Sequence, residues 1–119
     1  MYKLKYINLT IIYILFISLL SHTPNDNFPE SDIGFSNTDK IFHFVEFFIL
    51  GLLIQLSLHE REISSQKVIV FMTIIVGFSF ACIDELHQSF IRGRDCSVED
   101  LSFDFLGISL SFFNYKYFF

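Results

Sequence analysis

Residues 67–88 read KVIVFMTIIVGFSFACIDELHQ. Between Lys67 and Ile83 the only polar interruptions are Thr73 and Ser79, and both hydroxyls can bond back to carbonyls of their own helix. A helix on the surface of a soluble protein shows a polar face every 3.6 residues, and this one shows none. The run is about as long as the roughly 20 residues an α-helix needs to cross hydrocarbon. It then ends abruptly in Asp84, Glu85, His87 and Gln88. That contrast makes the segment a membrane helix with an ionisable end.

The rest of the chain repeats the pattern. Its 119 residues are 52% hydrophobic, with 17 Phe and no Trp, and the formal charge is -5. The apolar residues come in blocks near 4–21, 41–58, 68–90 and 101–115 rather than in a short period, which excludes an ordinary soluble domain. The expected fold is all-α: one domain over 1–119, a bundle of four transmembrane helices, with residues 22–40 as an external loop. No internal repeat, glycine-rich phosphate loop, nucleophile elbow or nucleic-acid patch is present. Lys3 and Lys5 before the first block suit a signal peptide, but LLSHTPN at its end lacks a small-x-small cleavage pattern, so an uncleaved helix is expected.

Alternating the loops puts Lys3, Lys5, Arg61, Lys67 and Lys116 on one side, and Lys40, Arg92 and Arg94 on the other with eleven of the thirteen acids. The positive-inside bias then places both termini in the cytoplasm of a plasma-membrane protein and the acidic face outside. Three polar motifs meet at that face. Asp39, His43 and Glu46 are spaced i, i+4, i+7 on the second helix, with Lys40 beside them. Gly77, Ala81, Asp84 and Gln88 follow the same spacing on the third, and Asp100, Asp104, Gly107 and Ser111 on the fourth. A charge facing lipid near the bilayer centre costs about 2.5–3.5 kcal/mol, so these stripes are expected to face one another.

The strings DKIFHFVEFFILG, DELHQSFIRGRDCSVED and DFLG resemble the motifs of the VanZ-like membrane proteins. The resemblance marks Asp39, Lys40, His43, Asp84, Glu85, Gln88, Gly93, Arg94, Ser97, Asp100 and Gly107, and covers nearly everything after Thr38. The chain departs from the family in having Asp104 where Asn is usual and Cys96 where a small residue such as Gly is usual. The resemblance implies a small multi-pass protein of the cell envelope, in a family whose founding member is linked to teicoplanin resistance.

Several of these residues have a structural reading beside the functional one. SVED fits a capping box with Ser97 as N-cap and Asp100 bonding back, and Asp39 suits a helix N-terminus. Arg92 and Arg94 can pair with carboxylates or with a phosphate. Gly77, Gly93, Ser97 and Gly107 are expected to be structural. Eight acids gathered at one face cannot all ionise without penalty, so either a deep carboxyl keeps its proton or a cation binds. His43 and His87 lack the spacing of a metal motif, so no metal and no cofactor are expected. Cys82 and Cys96 are expected as free thiols.

The function expected is an external polar pocket that binds or processes a cell-envelope component and affects glycopeptide susceptibility, with the bilayer and an envelope lipid or glycopeptide as partners and no nucleic acid. The pocket candidates are Asp39, Lys40, His43, Glu46, Asp84, Glu85, Gln88, Arg92, Arg94, Asp100 and Asp104. A proton-coupled carrier and a membrane-embedded hydrolase are the alternatives, the latter drawing on Ser89, Ser97 or Ser102.

Overall fold

The computed structural model describes residues 5–22, 35–63, 65–90 and 98–114, without the side chains of 21, 22, 35–39, 88 and 114. Four helices account for most of it: α1 (Lys5–His22), α2 (Phe35–Glu60), α3 (Gln66–Gln88) and α4 (Val98–Ser111), the last followed by a 3-10 turn at Phe112–Asn114. No strand occurs among the described residues. β-Branched runs such as Val68-Ile69-Val70 are mediocre helix formers in water. In an apolar medium the backbone has no other way to satisfy its N–H and C=O groups, so they form helix all the same. Two stretches, Lys40–Glu60 and Gln66–His87, are long and apolar enough to cross a membrane.

α2 begins at Phe35, ahead of the apolar block at 41–58 and inside the segment read as loop. An apolar count misses a polar first turn, whose unpaired N–H groups favour polar residues such as Ser36, Asn37 and Thr38. Asp39 therefore lies inside the helix, and the N-terminal capping role read for it does not hold.

Between α2 and α3 the chain reverses in a Schellman turn. Ile63 N–H donates to the Leu58 carbonyl at 3.4 Å and Glu62 N–H to that of His59 at 2.9 Å. Glu62 sits at φ 62°, the left-handed conformation that this motif usually gives to glycine. Ser65 then caps α3, its side chain accepting from Val68 N–H at 3.4 Å.

α1 is tied to α2 by polar contacts at both depths. The Glu60 carboxylate accepts from the N–H groups of Lys5 (3.1 Å) and Tyr6 (2.9 Å), so the end of α2 caps the start of α1. Further in, the hydroxyls of Thr10 and Ser57 bond at 2.8 Å, and Tyr13 OH donates to the Glu46 carbonyl at 2.8 Å.

The packing is inverted relative to a soluble domain. His43, Gln55, Thr73, Asp84, Glu85, Asp100, Asp104 and Ser111 are buried, whereas Ile12, Phe42, Phe71 and Ile83 are each about 60% exposed (62, 59, 63 and 62%). Contiguous apolar surface of this kind marks an interaction surface or a lipid-facing one.

α4 lies along α2 more closely than any other pair, and glycine allows it. A Cβ on Gly107 would stand 2.4 Å from the Phe44 carbonyl oxygen and 2.9 Å from Phe48 N, both fixed backbone atoms. One on Gly51 would meet Ser111 Oγ at 2.4 Å, and one on Gly77 the Ile108 side chain at 2.8 Å. Small residues at crossings let backbones touch in this way.

Two opposite effects on stability follow. Gly107→Ala is expected to force α2 and α4 apart and destabilise by about 1–3 kcal/mol, lowering the melting temperature in detergent. Glu62→Gly is expected to raise it, by about 1 kcal/mol in stability, because glycine carries no penalty for a left-handed backbone.

Candidate functional site

The polar stripes of α2, α3 and α4 meet at the end of the bundle where α2 and α4 start and α3 finishes. His43, on α2, is 2% exposed, and its Nδ1 lies 2.8 Å from Asp104 Oδ1 of α4. Asp104 is fully buried, and its second oxygen has no hydrogen-bond partner among the described residues. On its other edge the imidazole faces two further carboxylates, with Nε2 3.8 Å from Glu85 Oε1 of α3 and 3.9 Å from Asp100 Oδ2 of α4. Asp84 is also buried, close enough to Asp104 for their charges to interact. One imidazole is thus set among four buried acids.

Local geometry explains the convergence. Asp100 and Asp104 are one turn apart, so both look toward α2 from the first two turns of α4. Asp84 and Glu85 occupy the last turn of α3, where the chain leaves the apolar interior. One turn further out, Lys40 bonds to the exposed Glu99, closing the α2–α4 seam. The hydrogen bond and charge of Lys40 hold the Glu99 carboxyl below its usual value.

Beneath this cluster the interior is apolar. Phe47, Leu50, Ala81 and Ile108 are fully buried, and the Phe47 and Phe80 rings pack at 5.9 Å. Deeper still, Gln55 Nε2 donates to Ser111 Oγ at 2.8 Å and to the Gly51 carbonyl at 3.2 Å. Thr73 donates to the Ile69 carbonyl at 2.7 Å. These groups are neutral, and Gln55 Oε1 has no hydrogen-bond partner among the described residues.

One expected pocket residue lies on another flank of its helix. Glu46 is half-buried on the flank of α2 that meets α1, where its carbonyl accepts from Tyr13 OH and its charge acts on the Tyr13 phenol. His43, expected opposite the carboxylates of α3, is itself the centre. Arg92, Gly93, Arg94, Cys96 and Ser97 fall outside the described residues, as do the side chains of Asp39 and Gln88. Gly77 and Gly107 lie at helix crossings.

The spacing of histidines along the chain gave no reason to expect a metal. The folded chain nevertheless brings ligand atoms of His43, Glu85 and Asp104 within 4.8 Å of one another. Each comes from a different helix, so no local sequence pattern could have shown it. Gln55, which sequence reasoning passed over, had one signal: an amide inside the apolar run LGLLIQLSL.

Chemically, a histidine held at Nδ1 by a carboxylate can accept or pass a proton, or bind a cation. Nucleophilic chemistry finds less support. Ser89 and Ser102 are exposed and donate to the carbonyls of Leu86 and Val98, and Cys82 is exposed on the outer surface of α3.

The profile of the VanZ/LLP1 family matches residues 2–119. The chain belongs to the VanZ/LLP1 family. No match is found among curated proteins or among solved structures. Membership in this family, together with the two long apolar helices, points to a membrane protein. In this chain Asp104 is the partner of His43.

Removing one member of a buried pair leaves the other without compensation, a loss of about 3–5 kcal/mol. His43→Ala is therefore expected to lower the melting temperature steeply, whereas Lys40→Ala, which opens only a solvent-exposed pair, leaves it nearly unchanged. Circular dichroism melts of the two variants in the same detergent check the difference.

Proposed function

We propose that this VanZ/LLP1 protein crosses the plasma membrane with all four helices, keeps both termini in the cytoplasm, and uses the His43 cluster as an outward-facing polar pocket for a cell-envelope component. The observation that carries the reading is the burial of His43, Asp84, Glu85, Asp100 and Asp104 at a single end of the bundle. By sequence, Lys3, Lys5, Arg61, Lys67 and Lys116 fall to the opposite side against Lys40, Arg92 and Arg94 on this one, a bias by which the positive-inside rule directs this end outward. An acidic pocket suits amino or hydroxyl groups on the ligand. A phosphate would need Arg92 or Arg94 to offset the carboxylates. Binding or processing such a component is the route by which the protein would alter susceptibility to glycopeptides.

A proton-coupled carrier is the second reading, and the buried Gln55, Thr73 and Ser111 favour it by extending polarity down the bundle. Phe47, Leu50 and Ile108 stand between the two polar levels and offer no titratable group. A relay needs such groups in sequence, so the one-sided pocket accounts better for the interior.

Two experiments test the proposal. With the native cysteines replaced by serine, Asn25→Cys is expected to react with a membrane-impermeant maleimide on intact cells and Ser65→Cys only after lysis. The reverse pattern would sink the topology. In a deletion strain challenged with envelope-targeting compounds, glycopeptides included, wild type is expected to restore growth and Asp84→Asn, at equal membrane abundance, to fail. Equal rescue would show that the pocket is not where the protein acts, while proton flux in proteoliposomes would favour the carrier.

A further inference from the structure

We propose that His43, Glu85 and Asp104 form a binding site for one divalent first-row transition-metal ion that clamps α2, α3 and α4 together at the end of the bundle. The three residues each offer a ligand atom within 4.8 Å of the other two, and all are buried. The 2.8 Å separation of His43 Nδ1 and Asp104 Oδ1 falls at the short end of the roughly 2.8–3.6 Å between neighbouring ligands, from octahedral to tetrahedral, whose metal bonds are about 2.0–2.2 Å long. In the ion-bound form the ligating imidazole nitrogen carries no proton. Asp100 Oδ2, 3.9 Å from Nε2, belongs to a further carboxylate beside the imidazole.

A second observation points the same way. Asp104 is fully buried, yet its Oδ2 has no hydrogen-bond partner among the described residues. A buried carboxylate oxygen without a donor is expensive, and a cation satisfies it. Lys40, at the same end, is bonded to Glu99 instead. One imidazole nitrogen and two carboxylates suit Mn²⁺, Fe²⁺ or Zn²⁺ rather than a thiolate-seeking ion. Because the ligands come from three helices, binding stabilises the folded bundle over any state in which the helices separate. Ion binding of this kind needs only these three side chains, whatever else the pocket holds.

The test uses the full chain in detergent, purified without a histidine tag, stripped with chelator and titrated with Mn²⁺ or Zn²⁺. About one ion per chain is expected to remain after gel filtration, with a rise in melting temperature. Glu85→Gln and Asp104→Asn, which keep the side-chain shapes, are expected to bind at least about tenfold more weakly and to lose the thermal shift, whereas the exposed His87→Ala binds as wild type. Pulsed EPR of Mn²⁺-loaded wild type gives a readout free of variants: coupling to one histidine nitrogen is expected. Failure of folded wild type to hold either ion, absence of nitrogen coupling, loss of binding in His87→Ala, or unchanged affinity in folded Glu85→Gln and Asp104→Asn would each overturn the site.

Discussion

The contact on which the polar end of the structure depends is the bond between His43 and Asp104, buried between α2 and α4. Neither group could be left in an apolar interior alone, since an unpaired buried charge is among the most destabilising features a fold can carry. Their pairing fixes the rotation of both helices about their axes. Once His43 faces α4, Phe47, Leu50 and Ile54 follow it inward on the helical period, and once Asp104 faces α2, so do Ile108 and Ser111. The glycine crossing is the steric counterpart: Gly107 brings the backbones close enough for a short imidazole and a short carboxylate to meet.

The interior is thus organised in levels along the bundle. An ion pair at the rim is followed by the buried acid and imidazole cluster, then a tightly packed apolar level, then the Gln55–Ser111 bond. Below the cluster Gln55 Nε2, Thr73 and Ser111 close on helix carbonyls or on each other, as a low-dielectric surrounding demands, while Gln55 Oε1 has no partner among the described residues. At the upper level the acids outnumber the bases among the described residues, and an excess of buried acid is resolved by protons, by a cation, or by a ligand. Function in a VanZ/LLP1 protein is best sought where the interior is not self-sufficient.

Much of this was legible in the chain because the signals were local. The apolar blocks identified four helices, and the i, i+4, i+7 spacings put His43, Asp84, Asp100 and Asp104 on inward stripes. What spacing could not decide was which edge of a stripe faces which neighbour. Glu46 shares a stripe with His43 but sits about 60° around the helix at 100° per residue, and packing sends it to α1. The start of α2 escaped an apolar count, and the Glu60 cap on α1 joins residues more than fifty positions apart, so neither leaves a local trace.

The sequence by itself determined that the chain is helical, suited to a membrane, a member of the VanZ/LLP1 family, and acidic where its apolar helices end, because each property rests on composition or on residues within a few turns of one another. Only the tertiary structure decided that His43 is the hub, that Asp104 is its partner, and that Glu85 completes a three-helix cluster. Those facts depend on the rotations of three helices, and a rotation is set by the whole packed interface between helices, not by any stretch of one.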